Sequence, residues 1–443
     1  MVVRLLPKII PHEIEEMVLM FLNSYNIQKI GKDNIPDHIW WKKCHINIAE
    51  AINHNNLIGV RYLVEECDAD IHANNDYALR LSVKRNNIEI VKYLIKRGAN
   101  INLDNGYPLR HNVLIGNLPT IQYLIEHGAY FHGESILRLS AQNGHLHIMQ
   151  YLANLDIDIR ADDALLLSAA NGHLVIVEYL LEQVVGNIDI YVSERALVLS
   201  AKNGYIDIVR CLIAYGIAAS DSALIISAEY GHIEIVQYLA GCGANTRVLN
   251  NRALELSIIN GRLDVVKFLV KQGVDVKTDT RFLRLAIDEG YVYIVKYFVE
   301  CGADIYNDTL NALQISAVNG HLSIIKYLVE EHHINIHFDD DYALRYSAKN
   351  GWLDVVKYLV ERHANIHADN NFALRYSAAN GHLSVVKYLV EHGAYINAYK
   401  SGALRFSTKN GHSNVVRYLI EKGASINALK NEALARDIRK MIR

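Results

Sequence analysis

Residues 371–400, NFALRYSAANGHLSVVKYLVEHGAYINAYK, decide how the rest of the chain is read, because most of the sequence beyond residue 45 is an imperfect copy of them. Aligned on Leu374, the equivalent positions are Ile48, Leu79, Leu109, Leu137, Leu165, Leu197, Leu224, Leu254, Leu283, Leu313, Leu344, Leu404 and Leu434. From Leu79 onward, successive copies lie 27 to 32 residues apart. A period of that length marks a solenoid, whose units cannot bury an apolar face alone and do so by stacking. Within the unit, Leu374, Ser377 and Ala378 fall at i, i+3 and i+4, one face of a short helix whose small residues let the next unit come close. Asn380-Gly381 supplies a left-handed stop. Leu383, Val386, Leu389 and Val390 then restart at helical spacing, and Gly393 ends the second helix. The loop after it, INAYKSG, is polar and lacks apolar alternation. The unit is helix, tight turn, helix, loop, and the expected fold class is an all-α solenoid of about thirteen such units with little or no strand.

The run ALRYSAANGHLSVVKYLVEHGAYINA resembles the ankyrin repeat, with ALRYSA where that family has T-P-L-H-x-A. The resemblance covers residues 45 to 443, with a last copy cut short after its first helix. The Asn- and Ile-rich, proline-poor style also resembles the long ankyrin arrays encoded by giant DNA viruses. Two departures matter physically. The family's Thr and Pro are replaced by residues such as Phe372 and Ala373, and only Pro108 keeps the first-turn proline. One position earlier stand Asp76, Asp162, Asp221, Asn251, Thr280, Asp341, Asn371, Ser401 and Asn431, side chains able to accept from free helix N–H groups, so the first helix should be capped and begin there. The second departure is length: the unit is shorter than the family's ~33 residues, and the deficit falls in the loop, so the projecting hairpin should shrink to a turn. Stacked at roughly 9–10 Å per helix pair, thirteen units would extend about 120 Å.

Lys plus Arg number 45 against 48 Asp plus Glu, a net charge of −3, which lacks the basic excess of a nucleic-acid binder. The five cysteines, Cys44, Cys67, Cys211, Cys242 and Cys301, are dispersed and odd in number, which fits a reducing interior. No run reaches the ~18 apolar residues of a membrane span, and MVLMFL is too short and comes after two glutamates, unlike a signal peptide. A cytoplasmic or otherwise intracellular protein, monomeric and in the host cell if viral, is expected.

Residues 1–44 hold three of the five prolines and lack the repeat. Ile14, Met17, Val18, Phe21 and Leu22 form an amphipathic stripe that suits a cap over the first unit. The same segment is similar to an F-box: Ile10-Pro11-His12-Glu13 opens it and Trp40-Trp41-Lys42 closes it, although Asn26 to Asp37 is more polar than that family's second helix. The resemblance implies docking to a cullin-type ubiquitin ligase through residues 10–43, with the repeats holding a target. The array spans residues 45–430. Residues 182–195, EQVVGNIDIYVSER, should lengthen one loop, and residues 431–443 should form a capping helix.

Candidate partner-binding residues lie on the first helix, whose face should be concave. Arg375 has equivalents Arg80, Arg110, Arg138, Arg284, Arg345 and Arg405, interrupted by the apolar Leu166, Val198 and Ile225. Lys84, Lys349 and Lys409 stand at i+4 from Arg80, Arg345 and Arg405, like-charge pairs that cost about 0.2–0.5 kcal/mol each unless offset. The arginines read either as loop-bonding residues facing Asp339, Asp340, Asp341 or Asp369, or as a basic stripe for an acidic partner. The second-helix tyrosines, such as Tyr358, Tyr388 and Tyr418, read as packing with a wet hydroxyl. His145, His173, His232, His321, His382 and His412 recur one per unit after the turn glycine, too far apart to share a metal, and read as local turn bonds. No HExxH, GxSxG or Walker loop is present, and Gly241-Cys242-Gly243 lacks the third glycine of a dinucleotide fingerprint. The expectation is a non-enzymatic scaffold without cofactor or metal, with a passive spacer and the ligase adaptor as the other readings.

Overall fold

The computed structural model describes residues 47–130, 132–155, 162–183, 189–306 and 311–426, together with Arg436, Ile438 and Arg439. Every regular element among these residues is helical and none is a strand, as the short polar loops imply. The chain divides into two compact units, Met1–Asp158 and Ile159–Arg443. Among the described residues, the first holds four helix pairs, from Ile48–Asn53 with Leu57–Glu65 to Gly133–Gln142 with Leu146–Ala153, and the second holds nine, from Asp162–Ala170 with Leu174–Gln183 to Ala398–Lys409 with Ser413–Glu421. One second helix, Leu322–Lys326, widens into a π turn over Tyr327–Glu331.

The seam within each unit is what the repeat prescribes. Leu344, Leu374 and Leu404 are at most 1% exposed, as are Val356, Leu359, Val386 and Leu389 on the second helices. The serine three residues after each leucine is also fully buried; Ser347, Ser377 and Ser407 each donate to the Leu carbonyl three residues back at 3.1 Å. The hydroxyl is thereby satisfied inside its own helix, and a small side chain faces the next unit without an orphaned polar group. Where the third copy has Asn112 instead, its amide donates to the Pro108 carbonyl at 2.7 Å.

Six first helices are preceded by a feature that single-residue preferences do not announce. Asn74–Asp76, Asp104–Gly106, Leu249–Asn251, Asp339–Asp341, Asp369–Asn371 and Tyr399–Ser401 each place three consecutive residues in the left-handed region, with φ between 45° and 76°. This left-handed turn replaces the hairpin and accounts for the missing residues. Its cost, roughly 1 kcal/mol or more per residue, is lowest for Asn, Asp and Gly, which fill most of these positions.

The right-handed helix begins just after Asp76, Asp341 and Asn371, but those side chains do not cap it. Each instead accepts the backbone N–H of a residue 24 positions on, in the next loop: Asn100 at 3.2 Å, Asn365 at 3.0 Å and Tyr395 at 2.8 Å. Asp221 does the same with Asn245 at 2.7 Å, while the cap of its helix is Ser220 and that of the Thr280 helix is Asp279. The insertion near residue 190 also behaves differently from expectation. Asp189 caps a 14-residue helix, Ile190–Asn203, so residues 190–195 extend a first helix rather than a loop. Pro119 lies in the first turn of the second helix Leu118–Glu126. The segment expected to be a cap or F-box lies outside the described residues, as does most of the terminal helix, of which Arg436, Ile438 and Arg439 are helical and Ile438 is fully buried.

Candidate binding face on the first helices

The left-handed turn presents carbonyls at the exposed start of these first helices, where a side-chain donor can reach them. The recurring arginine is that donor. Arg345 donates to the carbonyls of Asp340 at 2.8 Å and Asp339 at 2.7 Å, and Arg375 to those of Asn370 at 3.1 Å and Asp369 at 2.8 Å. Arg110 reaches Asp104 at 3.0 Å and also Asn105, and Arg80 reaches Asn75 at 3.1 Å. A planar fork of donors matches two adjacent carbonyls as a lysine could not. The like-charge pairs are offset by acids of the next unit: Arg80 meets Asp104 at 2.9 Å and Arg345 meets Asp369 at 3.7 Å, the latter also 3.7 Å from Arg375. Of the two readings of this stripe, loop bonding describes these four arginines.

Sequence reasoning missed what surrounds them. On the helices Phe338–Asn350 and Ala368–Ala379, rings at i and i+4 stack within each helix, and tilted contacts continue to the next helix and on to Ala398–Lys409. Tyr342 lies 4.0 Å from Tyr346, Tyr346 is 5.5 Å from Phe372, Phe372 is 4.1 Å from Tyr376, and Tyr376 is 6.1 Å from Phe406. Cations cover them: Lys349 is 5.2 Å from the Tyr346 centroid, Arg375 is 4.6 Å from Tyr399, and Arg405 is 4.9 Å from Phe406. Burial, with smaller contributions from Tyr346 and Asp339, raises the Tyr342 phenol above its ordinary value. The signal was present as DYALRYS and NFALRYS, aromatic residues on both sides of each ALR.

The unit before this stripe has Asn311 and Ile315 where the next has Tyr342 and Tyr346. Beside these smaller side chains lies a shallow groove of about 280 Å³, lined among others by Gln314, Ile315, Val318, Arg284, Asp288 and Tyr342. Arg284 is more than half exposed and 3.8 Å from Asp288.

Other candidates separate by exposure. Lys84, Arg138 and Lys409 are exposed, while Lys349 and Arg405 are half-buried. The apolar candidates Leu166, Val198 and Ile225 offer less open surface than the exposed cations. Leu166 is only 8% exposed and the other two are half-buried, because neighbouring first helices within the unit cover this row.

The remaining repeated residues serve the stack. Arg61, Lys92, Arg210, Lys267, Lys296, Lys326 and Lys387 each lie 4.7 to 5.8 Å from the ring of the next unit's second-helix tyrosine. Burial is the leading cause that pushes Tyr358 up to about 12, followed by its bond to Glu330, and burial likewise raises Tyr297 to about 12. Three of the turn histidines bond across units instead of locally. His145 bonds the Leu114 carbonyl at 3.0 Å, His232 that of Lys202 at 2.9 Å and His321 that of Asp288 at 2.8 Å, each in the preceding unit. Their rings lie over the preceding turn glycine, so that a methyl on Gly116 would meet His145 at 2.7 Å. The turn asparagines also reach backward: Asn350 to Val318, Asn380 to Lys349 and Asn410 to Ala379, at 2.7 to 2.8 Å. Among the described residues no group of three His, Cys, Asp or Glu side chains is placed to hold a metal, and no helix is long and apolar enough to cross a membrane.

The family model described as ankyrin repeats in three copies matches overlapping segments that together cover residues 16–280 and 283–430. Among solved structures, the human ASB11 ankyrin repeat domain is similar at 20% identity, covering 46% of this chain and 98% of that one with a TM-score of 0.40. No curated protein matches the chain. A helix-pair repeat that bonds forward and backward along each array, and a family model matching most of the sequence, place this chain in the ankyrin-repeat family.

Proposed function

We propose that the chain is a non-enzymatic protein-interaction scaffold that binds its partner on the first-helix face. The observation that carries this reading is the contrast between a uniform frame and a varied face. Buried Leu, Ala and Ser recur in nearly every unit, whereas the first-helix positions outside that seam change from arginine and tyrosine to glutamine, isoleucine and lysine. Such a face offers many separate contacts and only a shallow groove, which suits a macromolecular partner better than a small substrate enclosed for chemistry. The free thiols Cys67, Cys211, Cys242 and Cys301 support an intracellular setting, and the repeat style supports one inside the host of a giant DNA virus.

Lysine acylation footprinting of the chain with and without a captured partner tests this. Protection should fall on Lys84, Lys349 or Lys409 on the first helices and spare Lys267, Lys326 and Lys387 on the second. Protection of the second set alone, or no retained partner, refutes the proposal; the latter is what a passive spacer gives. A second reading, ligase adaptor, rests on the F-box resemblance of residues 10–43. It requires that a cullin complex co-purify with the full chain and be lost when residues 1–44 are removed.

A further inference from the structure

The frame does not use every cation on this face. Arg345 and Arg375 are occupied by turn carbonyls and share Asp369. Asp340 accepts the Asp369 N–H at 3.1 Å, so the neighbouring acids are also engaged. Lys349, Arg405 and Lys409 are different: among the described residues no carboxylate stands within ion-pair distance of them. They flank the aromatic stripe, and beside it lies the groove over Ile315 and Val318. We propose that this face docks an extended acidic segment of a partner protein, its carboxylates on Lys349, Arg405 and Lys409 and one apolar side chain in that groove.

The spacing defines the segment. Successive first helices stack at roughly 9–10 Å, and an extended chain advances about 3.3 Å per residue. Lys349 and Lys409 are two units apart, with Ala379 between them, so the acidic positions should be about six residues apart. The groove belongs to the unit before Lys349, which puts the apolar residue about three residues from the nearer acid. A single-stranded nucleic acid fits less well, because bases need open ring faces on which to stack. Here Tyr342 lies on Tyr346 and Phe372 on Tyr376, and Phe372 is only 8% exposed.

This proposal rests on the scaffold reading and can fail without it. A random library of peptides of about twelve residues, displayed on phage, is selected on the immobilised full chain, and a fluorescein-labelled oligouridylate is titrated in parallel. Selected peptides should carry acids at the derived spacing and bind Lys349→Glu/Lys409→Glu at least about tenfold more weakly, at unchanged melting temperature. Lys409→Glu alone, at an exposed position, should show part of the loss. Selection of neutral or basic peptides, equal binding to the substituted chain, or no selected peptide overturns the acidic segment. The scaffold reading still stands if footprinting protects the first helices. Binding of the oligouridylate in place of acidic peptides overturns it in favour of nucleic acid.

Discussion

Replacing Gly320 by alanine should destabilise the second unit through two separable effects. Gly320 ends its first helix at φ 82°, where a β-carbon costs about 1–2 kcal/mol. A methyl there would also overlap the indole of Trp352, 2.7 Å from Cε2. That ring cannot simply retreat, because its Nε1 donates to the Val318 carbonyl at 2.8 Å. Displacing it forfeits a hydrogen bond worth about 1 kcal/mol and some ring packing. Gly320→Ala should therefore cost about 2–3 kcal/mol. Gly216 is the control: it lies at φ 91° with nothing within 4 Å of a built β-carbon, so Gly216→Ala should cost only about 1 kcal/mol.

The assay is urea denaturation monitored by helical circular dichroism, run as a double-mutant cycle with Trp352→Ala. Removing the ring should reduce the cost of Gly320→Ala to that of the control, a coupling of about 1–2 kcal/mol. Equal losses at Gly320 and Gly216, or a coupling below about 0.5 kcal/mol, would show that the ring over the glycine is incidental to the stack.

The same contacts imply three further outcomes. Arg345→Met removes two charge-assisted bonds to the Asp339 and Asp340 carbonyls and should cost about 1.5–3 kcal/mol, while Arg405→Met, which loses no such bond among the described residues, should cost under about 1 kcal/mol; urea midpoints compare them. Asp341→Asn should be nearly neutral because Asn371 already performs that task, whereas Asp341→Ala leaves the Asn365 N–H unpaired and should cost about 1–3 kcal/mol; near-equal urea midpoints for the two would refute the bond to the following loop. Alkaline pH should unfold the chain. Burial raises Tyr93, Tyr123, Tyr327 and Tyr418, and Tyr297 and Tyr358 reach about 12, so above the ordinary phenol value of ~10 the unfolded state releases protons that the folded state keeps. Stability then falls as pH rises through that window. Absorbance titration should show these phenolates appearing together with loss of helix, and phenolates forming while helix persists would refute it.

What the sequence could and could not show divides by where each side chain finds its partner. Leu374, Ser377 and Ala378 pack or bond within the repeat period, so spacing alone placed them, and the positive φ of Gly381 is set by its helix end. Asp341 and His321 look like local groups, a cap and a turn bond, because single-unit rules see only near neighbours. Their actual partners, the Asn365 N–H and the Asp288 carbonyl, are 24 and 33 residues away. The left-handed turn shows the same dependence. Asp339, Asp340 and Asp341 tolerate positive φ one at a time, but in succession two of their carbonyls accept from Arg345, and Arg345 is held in turn by Asp369 of the next unit. Leu166 misleads for the same reason, since its cover comes from other helices. In a stacked repeat the side chains that join units carry ordinary local signatures, and their role becomes visible only when the neighbouring copy is set beside them.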